Sequence, residues 1–241
     1  MSTLLSATVA HANGFFESVI GDVRAVEGSA RPARVARNQR VIPGTTITTA
    51  AGARAVIRFD DGHAVVLNEN TEFRVNQYNF DSDKPDRDNI ALQLLKGAMR
   101  SVSGIVGARS RNAFVLLAPQ ATIGIRGTDF MIALVNPAYL SVLQGSIAAT
   151  NAAGTATFAA GTTATVASSA ALAVSIPASA LPASVTSSFG SMGSVAVGAG
   201  AVGAAAGGIT TAVVTGVAVA AVAAAVVGSD NKSTVSTTGT K

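Results

Sequence analysis

Two glycines, Gly124 and Gly127, interrupt the run Ala118-Pro119-Gln120-Ala121-Thr122-Ile123-Gly124-Ile125-Arg126-Gly127-Thr128-Asp129-Phe130, and Gly145 interrupts Leu140-Ser141-Val142-Leu143-Gln144-Gly145-Ser146-Ile147. In a helix each glycine would cost about 1 kcal/mol relative to Ala, whereas Thr122, Ile123 and Ile125 carry the β-branched side chains that suit strands. The run therefore reads as strand, tight bend and strand, followed by a further strand that ends in a turn.

The same punctuation recurs along the first two thirds of the chain. Residues 53–59 and 63–68 flank Asp60-Asp61-Gly62, a hairpin signal because Asp and Gly tolerate positive φ. Alternation puts Val56, Arg58 and Asp60 on one face and Ala55, Ile57 and Phe59 on the other. The next run sets Phe73, Val75 and Gln77 against Arg74, Asn76 and Tyr78. Residues 81–88 read as an excursion loop and 90–103 as a strand, and 114–117, 122–125, 129–135 and 139–143 continue the series. Beyond Gly145 the strands thin to Ala, Thr and Ser at 146–150, 155–159 and 162–166, with Gly154 and Gly161 between them. Many short strands with glycine corners predict an all-β domain, solenoid-like or a sandwich.

Charge divides the chain. The segment from Met1 to Asp129 holds 15 Lys and Arg against 12 Asp and Glu, and the hundred positions from Phe130 to Ser229 hold no charged side chain. An uncharged half is solvated by Ser and Thr, buried against itself, or placed in lipid. Residues 169–194 are rich in Ser, Ala and Pro, with Pro177 and Pro182, and read as a linker. Residues 195–227 are 33 apolar or small residues, long enough to cross a membrane as a helix. Gly203 and Gly207 form a G-x-x-x-G pair for close helix packing, and the low transfer energy of Ala and Gly leaves self-association through small faces as the competing reading. Residues 228–241 form a polar tail. At the other end, Leu4 to Ala12 looks like the end of a secretory signal, with Ala10 and Ala12 in an A-x-A arrangement, so residues 1–12 are expected to be a truncated signal remnant.

Chemistry finds little support. With no cysteine, thiolate zinc sites, disulfides and thiol catalysis are excluded. His11 falls in the signal-like stretch, and His63, directly after a hairpin turn, reads as an exposed turn residue. Asp81, Asp83, Asp86 and Asp88 lack the glycine and distant Glu of a calcium loop, and Lys84 and Arg87 offset their charge. No catalytic, metal-binding or cofactor-binding residue is expected, and the protein reads as a non-enzyme. Arg24, Arg31, Arg34, Arg37 and Arg40 lack interleaved aromatics, so nucleic acid is not an expected partner.

Pro119, Ala121, Gly127, Thr128 and Phe130, then Val142, Gly145 and Ile147, resemble the P-x-A-x-x-x-V-x-G-T-x-F and V-x-x-G-x-V elements of the FecR domain family of bacterial envelope proteins. Upstream, residues 54–68 with Asp60, Asp61 and Gly62 look like its L-x-D-G-S-x-x-x-L-N hairpin, and Leu95-Lys96-Gly97-Ala98 like its L-x-G-x-A strand. The resemblance runs from about Gly21 to Ser168 and makes residues 13–168 a FecR-type β domain, solenoid-like, followed by an apolar helical segment. It implies structural roles for Asp60, Asp61, Gly62, Gly97, Pro119, Gly127, Thr128, Phe130 and Gly145. By the same resemblance, the protein is a periplasmic or surface binding and sensing module with an envelope protein or glycan partner, membrane-associated through 195–227. Two alternatives stand beside it: a transmembrane regulator of ferric-siderophore signalling, and a self-associating subunit of a surface filament or matrix.

Overall fold

A computed structural model of the chain describes residues 14–110 and 112–197. The opening strands are β1 (Gly14–Ile20), β2 (Val23–Glu27), β3 (Ala33–Arg34), β4 (Arg40–Val41) and β5 (Thr45–Thr49). There follow β6 (Arg54–Phe59), β7 (Ala64–Leu67), β8 (Glu72–Asn79), the long β9 (Asn89–Val102), the short helix α1 (Ile105–Arg109) and β10 (Phe114–Leu117). Two more long strands, β11 (Thr122–Leu134) and β12 (Ala138–Asn151), precede β13 (Gly154–Ala159), β14 (Thr163–Val166), β15 (Val174–Ile176) and helix α2 (Ala183–Gly193).

Among the described residues, all fifteen strands join one open, mixed sheet, in which only β9 and β10 pair in parallel, with α1 in the connection between them. The three long strands change partners midway. In β9, residues 89–96 pair with β8, while Gly97–Val102 pair with the second part of β11. In β11, one edge pairs with β12 throughout, its register broken between Arg126 and Phe130, while on the other edge the partner changes from β10 to β9; in β12 the partner changes from β14 to β13 on either side of Gly145. Gly97, Gly127 and Gly145 sit at these breaks with φ of +85°, +56° and +70°. Each is a place where an L side chain would be strained and the strand can turn a corner.

The corners create two half-sheets. One runs β4, β1, β6, β7, then the later parts of β9 and β11 and the start of β12, then β14 and β15. The other runs β3, β2, β5, β8, then the early parts of β9, β10, the early part of β11, the end of β12, and β13. A single apolar core contains Phe16, Ile57, Phe59 and Leu67 of the first half together with Ile47, Phe73, Leu92 and Ile123 of the second. The rings of Phe59 and Tyr78 stack across it at 4.5 Å. The doubled-over sheet buries both inner faces, as the alternation of Ala55, Ile57 and Phe59 predicts.

Two sequence expectations are corrected here. Tyr78 joins Phe73 and Val75 in the core instead of facing away with Arg74, because a register shift between Val75 and Gln77 inserts one extra residue and flips the alternation. The expected linker at 169–194 holds β15, a single 3-10 turn and the eleven-residue α2. Pro177 and Pro182 do not break these helical turns but stand just before them, where a missing N–H costs nothing. Val185, Phe189 and Met192 of α2 pack on Val56, Val66, Ala98, Met131 and Ala133, covering the outer face of the first half-sheet. Among the described residues no helix is long and apolar enough to cross a membrane. The expectations for residues 1–12, for most of 195–227 with Gly203 and Gly207, and for 228–241 lie outside the described residues.

Candidate functional site

The Asp60-Asp61-Gly62 turn connects β6 to β7, with Gly62 at φ +84° and Asp60 exposed. Asp61 turns inward and is 1 % exposed. Its Oδ1 accepts from the Tyr78 hydroxyl and from the His63 N–H at 2.9 Å, its Oδ2 accepts from the Val106 N–H at 3.3 Å, and its carbonyl accepts from the Ile105 N–H at 2.9 Å. One carboxylate thereby ties β7, β8 and the start of α1 together. Gly104 makes the approach possible, since a Cβ there would stand 2.5 Å from the Asp61 carbonyl and carboxylate. Burial, then the Asp61 charge and hydrogen bond, push the Tyr78 phenol far above its usual range, so it stays a donor.

His63 is the clearest departure from the sequence reading. It is 1 % exposed, not a surface turn residue, and lies 5.6 Å from the Phe59 ring and 5.1 Å from Phe114. Its Nε2 stands 2.9 Å from Ser101 Oγ. Burial lowers its pKa from 6.5 to about 4, outweighing the opposing attraction of Asp61. Ser101, His63 and Asp61 have the composition of a hydrolytic triad but not its arrangement. The carboxylate receives the backbone N–H of His63, and Ser101 is fully buried, so no substrate carbonyl can reach it. The cluster is a polar tie within the fold.

The other motif residues build corners. A Cβ on Gly97 would stand 2.5 Å from Thr71 Cα and 2.7 Å from the Asn70 carbonyl. A Cβ on Gly145 would collide with the Gly127 carbonyl and reach within 2.7 Å of that of Arg126, so the corners of β11 and β12 nest against one another. Thr128 is buried, its N–H donating to Ser103 Oγ at 2.7 Å while Ser103 Oγ donates back to the Thr128 carbonyl at 2.8 Å. Phe130 fills the core, and Pro119 sits exposed in the turn closed by the Ala118 N–H on the Ala121 carbonyl. The acidic excursion loop is gathered by Arg109, which pairs with Asp88 at 2.8 Å and donates to the carbonyls of Asp81 and Ser82. Among the described residues, no group of three or more His, Asp or Glu is arranged to hold a metal ion.

Sequence reasoning missed two features. Arg100 and Asp129 form a two-point ion pair at 2.9 and 2.6 Å, and Arg100 also donates to the carbonyls of Met192 and Val195 at 3.2 Å. The second feature is a groove of about 520 Å³ on the outer face of the first half-sheet, lined by Glu17, Ser18, Ile20, Arg37, Arg54, Val56 and Val195 among others. Across β1, β4 pairs only at Gly14 and Phe15, so beyond the Phe16 bonds to Asn38 and Gln39 the edge at Glu17–Ile20 has no strand partner among the described residues. Arg54 Nε is buried without a hydrogen-bond partner among the described residues, and Ile20 is 55 % exposed. The five-arginine spacing singled out Arg37 but not Arg54, and it could not show that the two line one groove.

Residues 45–148 match the family model described as FecR protein. No curated protein matches the chain. Two solved structures from Parabacteroides distasonis ATCC 8503, each described as a "putative anti-sigma factor" and determined at 1.65 and 2.50 Å, are similar at 15% identity and a TM-score of 0.45. Each likeness covers 54% of this chain and 58% of that one, so the chain matches little more than half the length of these relatives. The segment that matches the FecR family model carries the Asp61 tie, the Gly97, Gly127 and Gly145 corners and the Arg100–Asp129 pair.

Proposed function

We propose that this protein is a non-enzymatic binding and sensing module of the cell envelope, in which partner binding feeds a signalling output. The FecR match supports the signalling class. The observation that carries the binding role is the groove where the open edge of β1 meets Arg37 and Arg54 beside apolar Ile20, Val56 and Val195. A strand edge offers main-chain hydrogen bonds to an extended segment, the apolar floor takes alternate side chains, and two guanidinium groups suit a carboxylate. The partner is therefore an extended, acidic segment of an envelope protein. Membrane association through 195–227 and removal of residues 1–12 belong to the same reading.

The test uses native-host cells producing the full chain with a photo-crosslinking residue in place of Ile20. Cells are fractionated and the mature N-terminus is read by mass spectrometry. A discrete adduct in the envelope fraction, lost in a folded Arg54→Glu variant, is the expected outcome. An uncut cytosolic protein, or an envelope protein without an adduct, would overturn the location or the binding role respectively.

A further inference from the structure

The sheet is open, so its free edges need protection, and three of the four terminal strands have it. β3 and β4 are two residues long and carry Arg34 and Arg40, with Pro32 and Pro43 close by. Asp22 adds its ion pairs to Arg24 and Arg34 beside β3. β15 is three residues long and stops at Pro177. β13 differs on every count. Its six residues, Gly-Thr-Ala-Thr-Phe-Ala, contain no charge, no proline and no register shift against β12, and no described strand lies on its other side. The nearest charge in its cross-strand rows is Arg126, two strands inward through Ser146.

We infer that β13 is a self-pairing edge, through which two copies of this chain extend the second half-sheet across a two-fold axis. The inference does not depend on the groove, which lies in the other half-sheet. The occupant is a second copy because the edge is self-complementary: a symmetric pairing confronts each residue with its own kind, which is tolerated only where no charge meets itself. The pleat limits the register. Thr155, Thr157 and Ala159 are exposed on the outer face while Phe158 is buried on the inner one, so an outer residue must oppose an outer residue. Two antiparallel registers satisfy this while pairing five of the six residues of each strand, one with Thr155 opposite Thr157 of the second copy and one with Thr157 opposite itself. Either continues the threonine contact already present within the chain, where Thr150 Oγ1 and Thr155 Oγ1 lie 2.9 Å apart. It would also bury Phe158 further at the extended inner face.

The experiment is sedimentation equilibrium of the full chain and of a Thr155→Lys/Thr157→Lys variant, which sets lysine opposite lysine in both registers. A reversible dimer whose dissociation constant weakens about tenfold or more in the variant is expected, since like charges directly opposite oppose strand pairing. Circular dichroism checks that the variant is folded. The natural chain has no cysteine, so oxidation gives a second readout. Thr157→Cys alone, or mixed with Thr155→Cys, forms a disulfide-linked dimer, while Thr48→Cys on β5 does not. A monomer at all concentrations, or a dimer unchanged by the two lysines and unlinked by the cysteines, would overturn the inference.

Discussion

Arg100 grips Asp129 through two nitrogens, at 2.9 and 2.6 Å, and also donates to the Met192 carbonyl at the end of α2 and to the Val195 carbonyl just beyond it. Both side chains are close to 90 % shielded from solvent, and the hydrogen bonds Arg100 donates to Asp129 raise the already high pKa of the guanidinium. A cation at a helix C-terminus satisfies orphan carbonyls and opposes their partial negative charge. The pair thus joins β9, β11 and α2. Asp129 is also the last charge before the long uncharged stretch.

Arg100→Met should cost about 3 kcal/mol, because removing one partner strands a shielded carboxylate. Its distinguishing effect is local: hydrogen exchange over 183–193 should accelerate more than exchange in the core strands. Equal acceleration throughout would show that Arg100 does not hold α2.

His63 makes stability pH-dependent with a defined sign. Its pKa is about 4 in the folded protein and 6.5 as the ordinary value, so the unfolded state binds the proton more readily. The contribution is complete above pH 6.5 and is lost as pH falls from 6.5 through 4, amounting to about 3 kcal/mol below that range. Denaturant unfolding of the protein and of His63→Gln at several pH values in this window should show a shallower decline in the variant. Parallel declines would contradict the assignment.

Tyr78→Phe keeps the stacked ring and removes one donor from Asp61. Expected loss of stability is about 2 kcal/mol, the usual cost of leaving a buried acceptor short of a partner. Chemical denaturation measures it, with Phe15→Tyr, at a half-exposed ring, as the surface control expected to change little.

Two glycines with similar φ should respond differently to alanine. Gly161 has φ +82° and open space around its missing Cβ, so Gly161→Ala should cost only the backbone term of about 1–2 kcal/mol. Gly145 adds a collision with the backbone of Gly127, and Gly145→Ala should cost about 3 kcal/mol or more, or prevent folding. Thermal unfolding of the two variants side by side decides whether corner nesting adds to conformational strain.

Residues that specify local backbone geometry were legible without a structure. β-branched runs, period-two alternation in β6, the Asp60-Asp61-Gly62 turn and the corner glycines each act through the φ and ψ of a few neighbouring residues, so the strand series and the FecR resemblance followed from them. The spacing of Val185, Phe189 and Met192, a helical stripe, was also present, but Ser-rich surroundings and two prolines pointed to a linker until a sheet face existed for the stripe to cover. What folds against what was decided by tertiary structure alone. One inserted residue in β8 sends Tyr78 into the core, burial converts a turn histidine into a neutral tie between two aromatic rings, and Arg37 and Arg54 line one groove only because the loop after β3 returns beside β1. Local propensity ends within a few residues, whereas burial, charge pairing and the identity of an unprotected edge depend on which distant strands the bent sheet brings together.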